Sequence, residues 1–541
     1  MRHSKIIFFV ILITLPTVLP FFNTRFFYTQ DHIFIARLNQ MSAALSDGHF
    51  PVRWAPDLRY GEPIYNFYAP LPYYFGALIH TLGFNFIWVS KILFILSSIL
   101  SALTMYVFAR LLFSKKGAFL ATVLYVYAPY RAVDLYVRGA LSETWAFVFF
   151  PLIFYASILL SEKVNLKRIS FLSLTLAGLF LTHNVTTLMF LPFLGLWWIY
   201  LLFKDKNWKL ILSFAGSFTL GLGLAAFFLL PALFESSFIQ TKYLTVGYFN
   251  FRAHFVAYGQ FFSTFWGYGS SLWGLDDGLS FQIGLAHWAT LVLALCIGFI
   301  YIKKKKPLSL LIFLGGSFLL SLFLQHNKSA FVWEAIPPMA FIQFPWRFLT
   351  ISIFLVAIAG GVIADYLGRF KIIYFILVGL IIILNINYFR PKEYVDNSFF
   401  DKFLYPEIMR TGRDLTKDYL PIWVKTTDGR PLNYLEAEEG SINVLRFEKK
   451  TAFASAQVNV LSDSLIVVPI AYFPGWTVMA NGKNISLEKP LEQGLIRFKL
   501  PVGTYNIKFE LKDTYVRLIG NFISLSSLLV LILFRYKRKK I

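Results

Sequence analysis

Residues 31–63 read DHIFIARLNQMSAALSDGHFPVRWAPDLRYGEP, a stretch dense in acids, arginines and histidines set between apolar runs at 6–22 and 86–113. Phe34, Leu38, Met41 and Leu45 recur at spacings of four, three and four, while Arg37, Asn39, Gln40 and Ser42 fill the other face. That pattern predicts an amphipathic helix lying flat in a membrane interface. Asp31 stands just before it, where a carboxylate serves as N-cap by accepting backbone N–H groups. One oxygen can cap while the other faces a cavity.

The whole chain supports the membrane setting. Its 541 residues are 57% hydrophobic, 19% aromatic and 15% charged, with a mean hydropathy of +0.60, outside the range of soluble globular domains. The net charge of +22 comes from short basic clusters between apolar runs, which is the signature of membrane topology and not of a nucleic-acid surface. The single cysteine, Cys296, excludes an intrachain disulfide and a thiol metal site. The N-terminal MRHSKIIFFVILITLPTVLPFF has a basic head, a long apolar body and no small-residue cleavage site, so it reads as an uncleaved first span.

Runs long enough to cross about 30 Å of hydrocarbon as helix fall at 6–22, 86–113, 118–131, 141–160, 169–182, 186–203, 209–232, 284–302, 308–325, 347–368, 372–389 and 516–534. The expected fold is therefore a polytopic α-helical membrane protein of about 12 spans. Alternate loops carry the basic clusters: Lys115-Lys116, Lys163 to Arg168, KDKNWK from 204, KKKK from 303, RFK from 369 and RYKRKK from 535. The positive-inside rule then makes both termini cytoplasmic. The loops 23–85, 132–140, His183-Asn184, 235–283, 326–346 and the region 390–515 fall on the outer side.

From about 440 apolar and polar residues alternate, as in SINVLRF, AQVNV, LIVVPIAYF, LIRFKL and YNIKFEL, with turns at ANGK from 480 and PVGT from 501. This predicts antiparallel hairpins in a small β-sandwich. The expected division is a transmembrane domain over 1–389, an extracytoplasmic domain over 390–515 and a final helix with a basic tail over 516–541.

Beyond the first helix, Arg53, Asp57, Arg59 and Glu62 are threaded among Trp54, Tyr60, Tyr65, Phe67, Tyr68, Tyr73 and Tyr74. An interface belt accounts for most of the aromatics, but not for acids and arginines at the same depth; charges near hydrocarbon mark a functional cavity unless paired. RGALSETW adds Arg138 and Glu143, LTHN adds His183, and QFPWRF adds Arg347. The competing reading is that Arg138, Arg347 and Arg517 reach out to lipid headgroups and that His183 is structural. The aromatic loop 235–283, with Trp266, Trp273, Asp276 and Asp277, offers stacking surfaces for sugar rings or another part of the belt.

Arginine forks match phosphate oxygens, and a carboxylate beside them can take a proton from an attacking hydroxyl. Together these groups suit transfer of a sugar from a lipid phosphate.

The segments DGHFPVRWAPDLRYGEPIYNFYAPLPYY, RGALSETWAFVFFPL, LTHN, FIQFPWRFL, YFPGWTVMANGK and LPVGTYNIKFEL resemble the membrane family labelled 6-pyruvoyl-tetrahydropterin-synthase-related. Nothing in them resembles the soluble pterin enzyme. In architecture the family is similar to the C-type glycosyltransferases, which use polyprenyl-phosphate sugars and a first-loop carboxylate.

The resemblance implies Asp31 as general base, with Arg37 following it on the helix. A histidine that many relatives place shortly after the acid is not evident, since Phe34 and Ile35 stand there and His32 adjoins Asp31. Asp57 remains a rival base. Arg37, Arg53, Arg59, Arg138, Glu143, His183 and Arg347 are the candidate substrate and lipid-phosphate ligands. A divalent cation (Mg²⁺ or Mn²⁺) is admitted but not required.

The expected partners are a polyprenyl-phosphate-sugar donor, membrane lipid and an envelope glycopolymer, glycolipid or protein acceptor at the outer face of the plasma membrane. No nucleic acid is expected. The rival functions are a lipid-linked-sugar flippase and a non-catalytic envelope-assembly protein. Transporters usually keep polar groups near mid-membrane and show repeated halves, neither of which the sequence displays.

Overall fold

The computed structural model describes residues 2–367, 370–414, 419–426 and 434–536. Each of the expected apolar runs contains helix. Among the described residues, however, seven helices are long and apolar enough to cross a bilayer, or nine if two bent pairs each form one span. By that measure the structure accounts for fewer spans than the expected twelve or so. Helices Lys115–Val126 and Leu166–Phe180 have 12 and 15 residues, and at 1.5 Å per residue they fall short of the ~30 Å hydrocarbon layer. The first helix, Arg2–Thr14, gives way to short 3₁₀ turns that begin at Leu15-Pro16 and Leu19-Pro20, because proline supplies no N–H to continue the ladder.

The bent pairs are Leu210–Leu224 with Ala226–Phe234, at 77°, and Ser309–Gln325 with Asn327–Ala335, at 89°. Helices Leu141–Glu162, Asn184–Asp205 and Leu349–Tyr366 have their basic loops beyond or at their C-terminal ends, at Lys163, Lys204 and Lys371. Ser114 N donates to Asp365 Oδ2 at 3.0 Å and Tyr374 Oη donates to the Lys116 carbonyl at 3.2 Å, which ties the start of helix Lys115–Val126 to the end of Leu349–Tyr366 and the start of Lys371–Asn385. Arg369 and the tail Lys537–Lys540 lie outside the described residues.

The region after 435 forms strands β1 (Glu436–Lys449), β2 (Phe453–Ala471), β3 (Trp476–Ala480), β4 (Lys483–Ile485), β5 (Leu487–Glu488), β6 (Leu495–Leu500) and β7 (Gly503–Leu511). The hairpin at ANGK is as expected: Asn481 and Gly482 both take positive φ, 48° and 80°, as a tight primed turn requires. The strands are connected as one antiparallel sheet of order β4-β3-β7-β2-β6-β5, with β1 on the remaining edge of β2, and Phe498 of β6 packs against Phe509 of β7, strands that do not pair, at 5.9 Å. The 19-residue β2 pairs with β7 through its first half and with β6 through its second, so both groups of strands share it. A strand that long serves two neighbours in succession, which period-2 patterning cannot reveal.

The sheet is docked on the first loop. Trp54 packs edge-on against Trp476 and tilted against Phe473, with centroids 5.7 and 6.1 Å away. Ala471 N donates to the Tyr60 carbonyl at 2.8 Å, and Thr451 N and Oγ1 donate to Asp47 Oδ2 at 2.7 and 2.8 Å. Trp54, Tyr65 and Tyr73 are buried, so these aromatics are core and not an interface belt. The helix Phe34–Ser46 likewise does not lie flat on a surface: Arg37, Gln40 and Ser42 are buried along with the apolar stripe.

The last helix, Tyr515–Tyr536, is tied down by Arg517, which is buried and does not reach toward headgroups. Its Nε and Nη2 lie 3.0 and 2.9 Å from Glu235 Oε2, and Thr514 Oγ1 donates to the other oxygen. Arg517→Met would leave Glu235 buried without its cation, at about 3–5 kcal/mol. The expected result is a lowered thermal unfolding midpoint in detergent, partly restored by adding Glu235→Gln.

Candidate functional site

Asp31 is placed by backbone pairing. Gln30 N donates to the Val137 carbonyl at 2.9 Å and Asp31 N to the Arg138 carbonyl at 2.7 Å. The partner segment Val133–Arg138 is a π-helical turn closed by Gly139 at φ 67°, an irregularity frequent at functional sites. A Cβ on Gly139 would stand 2.3 Å from Thr29 Oγ1, so only glycine allows the two segments to meet. Asp31 is not the N-cap: the helix Phe34–Ser46 is preceded by Ile33 with no side-chain cap bond. The Asp31 carboxylate makes no hydrogen bond among the described residues and lines a cavity of about 700 Å³.

Arg37, Arg138, Glu143, His183 and Arg347 line the same cavity. Three guanidinium groups each stack on an aromatic ring: Arg37 over Tyr68 at 4.2 Å, Arg138 over Trp346 at 4.7 Å and Arg347 over Phe344 at 4.8 Å. Stacking holds each planar cation by its face, without using its N–H groups.

Glu143 is the hub. Its Oε1 accepts from Tyr130 Oη at 2.9 Å, its Oε2 accepts from Arg138 Nη1 at 2.7 Å, and Arg347 Nε lies 3.9 Å from Oε2. Both carboxylate oxygens are thereby engaged, so Glu143 orients cations instead of presenting itself to a ligand. Arg347 Nη1 donates to the Ile342 carbonyl at 2.8 Å and to Gln343 Oε1 at 3.2 Å. The Nε atoms of Arg37 and Arg347 are buried and make no hydrogen bond.

Arg138 is also hydrogen-bonded to Asp134. Burial and the Glu143 carboxylate push the Asp134 carboxyl well above the usual carboxylate range, against the pull of Arg138. The charged groups lining the cavity are three arginines against Asp31 and Glu143, an excess of positive charge suited to an anion.

His183, at the N-terminal edge of helix Asn184–Asp205, accepts from or donates to Thr186 Oγ1 through Nδ1 at 2.6 Å. Burial pushes it down to about 3; Glu143 raises it, while Arg347 and Arg138 add to the lowering. It therefore enters the cavity as a neutral imidazole.

Arg53, Asp57 and Arg59 do not line this cavity, contrary to the expectation of one shared chamber. Arg53 bonds Asp513 through Nε at 3.0 Å and Asn521 through Nη2 at 2.8 Å, joining the first loop to the last helix. Asp57 is half-exposed beside Lys449 at 3.8 Å and accepts from Gln40 at 3.4 Å. Arg59 takes φ 55° in the turn before Gly61. His32 bonds the Thr29 carbonyl at 3.0 Å through Nδ1 and does not line the cavity.

Trp266 stacks on Tyr388 at 4.7 Å, and Trp273 is 74% exposed; neither lines the cavity. Residues that sequence reasoning passed over include Asp134's neighbour Tyr130 as an anchor, and Ser271, Gln343 and Tyr419 in the lining, where Tyr68 of the first loop joins them. Only Asp134, a carboxylate within an otherwise apolar run, left a signal.

Among the described residues no three His, Cys, Asp or Glu side chains form a group able to hold a metal ion. Within the cavity the acids are Asp31 and Glu143, and Glu143 is already committed to cations. That donor set does not make a preformed divalent-ion site, which needs several free oxygens.

The membrane-protein family described as "6-pyruvoyl-tetrahydropterin synthase related domain" matches residues 65–391, and the chain belongs to it. A protein of Lactococcus lactis subsp. cremoris (strain MG1363), described as uncharacterized, is 28% identical over 236 residues, covering 41% of this chain and 38% of its own. Among solved structures, the apo oligosaccharyltransferase of Archaeoglobus fulgidus is 14% identical, with 74% of this chain and 57% of that chain covered and a TM-score of 0.46. The arabinofuranosyltransferase AftD from Mycobacteria, in a mutant form, is 13% identical, with 75% and 29% covered and a TM-score of 0.48. The chain thus spans less than two thirds of each of these proteins.

The depressed value of His183 has a definite sign. Its unfolded value near 6.5 exceeds the folded one, so its contribution to stability is present above about pH 6.5 and is lost as pH falls toward 3. Nitrogen-15 spectra of histidine-labelled protein should show His183 still neutral at pH 5, and a protonated signal there would contradict the site's electrostatics.

Proposed function

We propose that this protein is a membrane glycosyltransferase that moves a sugar from a polyprenyl-phosphate donor to a hydroxyl of an envelope polymer, glycolipid or protein at the extracytoplasmic face. The observation that carries the reading is the convergence of the unbonded Asp31 carboxylate with the stacked Arg37, Arg138 and Arg347 around one cavity. Two helices that border it, Leu141–Glu162 and Asn184–Asp205, do so at their N-terminal ends, and the 3₁₀ turn Pro345–Phe348 that leads into helix Leu349–Tyr366 supplies Trp346 and Arg347, in each case opposite the basic loop. By the positive-inside rule the cavity then opens on the outer side.

In this mechanism Asp31 takes the proton of the acceptor hydroxyl as its oxygen attacks the anomeric carbon. The bond from that carbon to the phosphate oxygen breaks, its electron pair goes to the phosphate, and the configuration inverts. Arg37 and Arg347 line the cavity with Nε groups that make no hydrogen bond to the protein, and their charge suits them to the negative charge that grows on the leaving phosphate. Arg138, shared with Glu143 and Asp134, supports them from behind. The neutral His183 adds a polar edge without a second charge. Asp57, with Lys449 beside it and no place in the cavity lining, is set aside as the base in favour of Asp31.

A carrier would be expected to hold its charged groups near mid-membrane. Here the charges of the cavity stand at helix ends, which favours chemistry over passage.

Asp31→Asn should lower sugar transfer by about 10²–10⁴-fold with normal protein levels, read as radiolabel passing from a polyprenyl-phosphate sugar into the envelope fraction. Transfer at the wild-type rate would remove Asp31 as the base. Arg347→Met should chiefly weaken donor binding.

A further inference from the structure

Part of the cavity wall is a hairpin whose polarity is set by a histidine that the proposed transfer does not use. Gly269 N donates to the Gly278 carbonyl at 2.8 Å and Gly278 N to the Ser270 carbonyl at 2.9 Å. The two strands run so close that a Cβ on Gly278 would stand 2.7 Å from Gly269 Cα. Asp277 braces the hairpin, accepting from Leu272 N at 2.7 Å and from Gln260 Nε2 at 2.8 Å. From this rigid base Ser270 and Ser271 line the cavity.

Ser271 and His254 are each 2% exposed. His254 Nδ1 lies 2.8 Å from Ser271 Oγ, and its Nε2 lies 2.5 Å from the Tyr248 carbonyl oxygen. A carbonyl only accepts, so Nε2 carries the proton. Burial lowers His254 below its ordinary value, which keeps the ring neutral and leaves a lone pair on Nδ1. The Ser271 hydroxyl must then donate to Nδ1, and the face it offers a ligand consists of oxygen lone pairs alone.

A phosphate oxygen has no proton to give such a group, whereas a sugar hydroxyl has one. The His254 ring packs edge-on against Phe344 at 4.6 Å, and Phe344 carries Arg347 on its face at 4.8 Å. The acceptor group is therefore one aromatic ring away from a cation assigned to the phosphate.

We propose that Ser271, held as a pure acceptor by His254 and the Tyr248 carbonyl, reads one hydroxyl of the substrate's sugar and so determines which sugar is taken. His254 is the positioning residue. The inference rests on the glycosyltransferase reading of the same cavity.

The test measures binding of citronellyl-phosphoryl hexoses and their singly deoxygenated analogues to the full chain in nanodiscs. Wild type should lose about tenfold in affinity at one deoxy position, and Ser271→Ala should bind parent and analogue equally. His254→Leu, which frees the serine proton to rotate, should reduce that discrimination while binding of plain citronellyl phosphate stays unchanged. Equal deoxy penalties in wild type and Ser271→Ala overturn the inference. Binding of the plain phosphate but of no sugar conjugate also overturns it and leaves the phosphate seat standing. Binding of neither removes the glycosyltransferase reading as well.

Discussion

The site depends on one carboxylate held between two cations. Glu143, in the first turn of its helix, bonds Arg138 and faces Arg347, and these arginines come from segments about two hundred residues apart in the chain. Without it, two guanidinium groups buried near one another would repel, and a buried unpaired charge costs several kcal/mol. With it, they share a negative partner and keep their remaining N–H groups aimed at the cavity. The same cluster carries Asp31, because the carbonyl of Arg138 accepts its backbone N–H.

A second set of contacts keeps the first loop closed over this cluster. Arg53 reaches Asp513 and Asn521, and Glu235 receives Arg517, so the loop, the bend after helix Ala226–Phe234 and the last helix are joined by charge pairs, of which Glu235–Arg517 is buried. Trp54 and Phe67 then belong to the core of the sheet, which makes the sheet part of the cavity's support although it follows the helices by hundreds of residues. Tyr419, from the segment leading into the sheet, lines the cavity itself and packs on Tyr68 at 6.1 Å.

Much of the helical organisation was legible. Each apolar run contained a helix, because hydrocarbon tolerates little else, while the shorter helix Leu71–His80 fell outside those runs. The charged residues at one level also singled out Asp31, Arg37, Arg138, Glu143, His183 and Arg347. The same reasoning placed Arg53, Asp57 and Arg59 with them, since spacing along a loop does not tell which side chains turn inward and which tie down a neighbouring element. Helix length was not legible: Lys115–Val126 and Leu166–Phe180 are shorter than their apolar runs led one to expect, because hydropathy reports composition and not length. Ser271 and His254 left no trace, being an ordinary serine and a single histidine until the hairpin brings one to the other.

The order of helices and strands, the membrane setting and the inventory of ionisable groups followed from the amino-acid sequence alone, because each rests on local periodicity and on the cost of moving charge into hydrocarbon. Which charges meet, which are already paired and which remain open to a ligand was decided only by the tertiary structure. Pairing is a matter of a few ångströms between distant segments, and only the folded chain sets those distances.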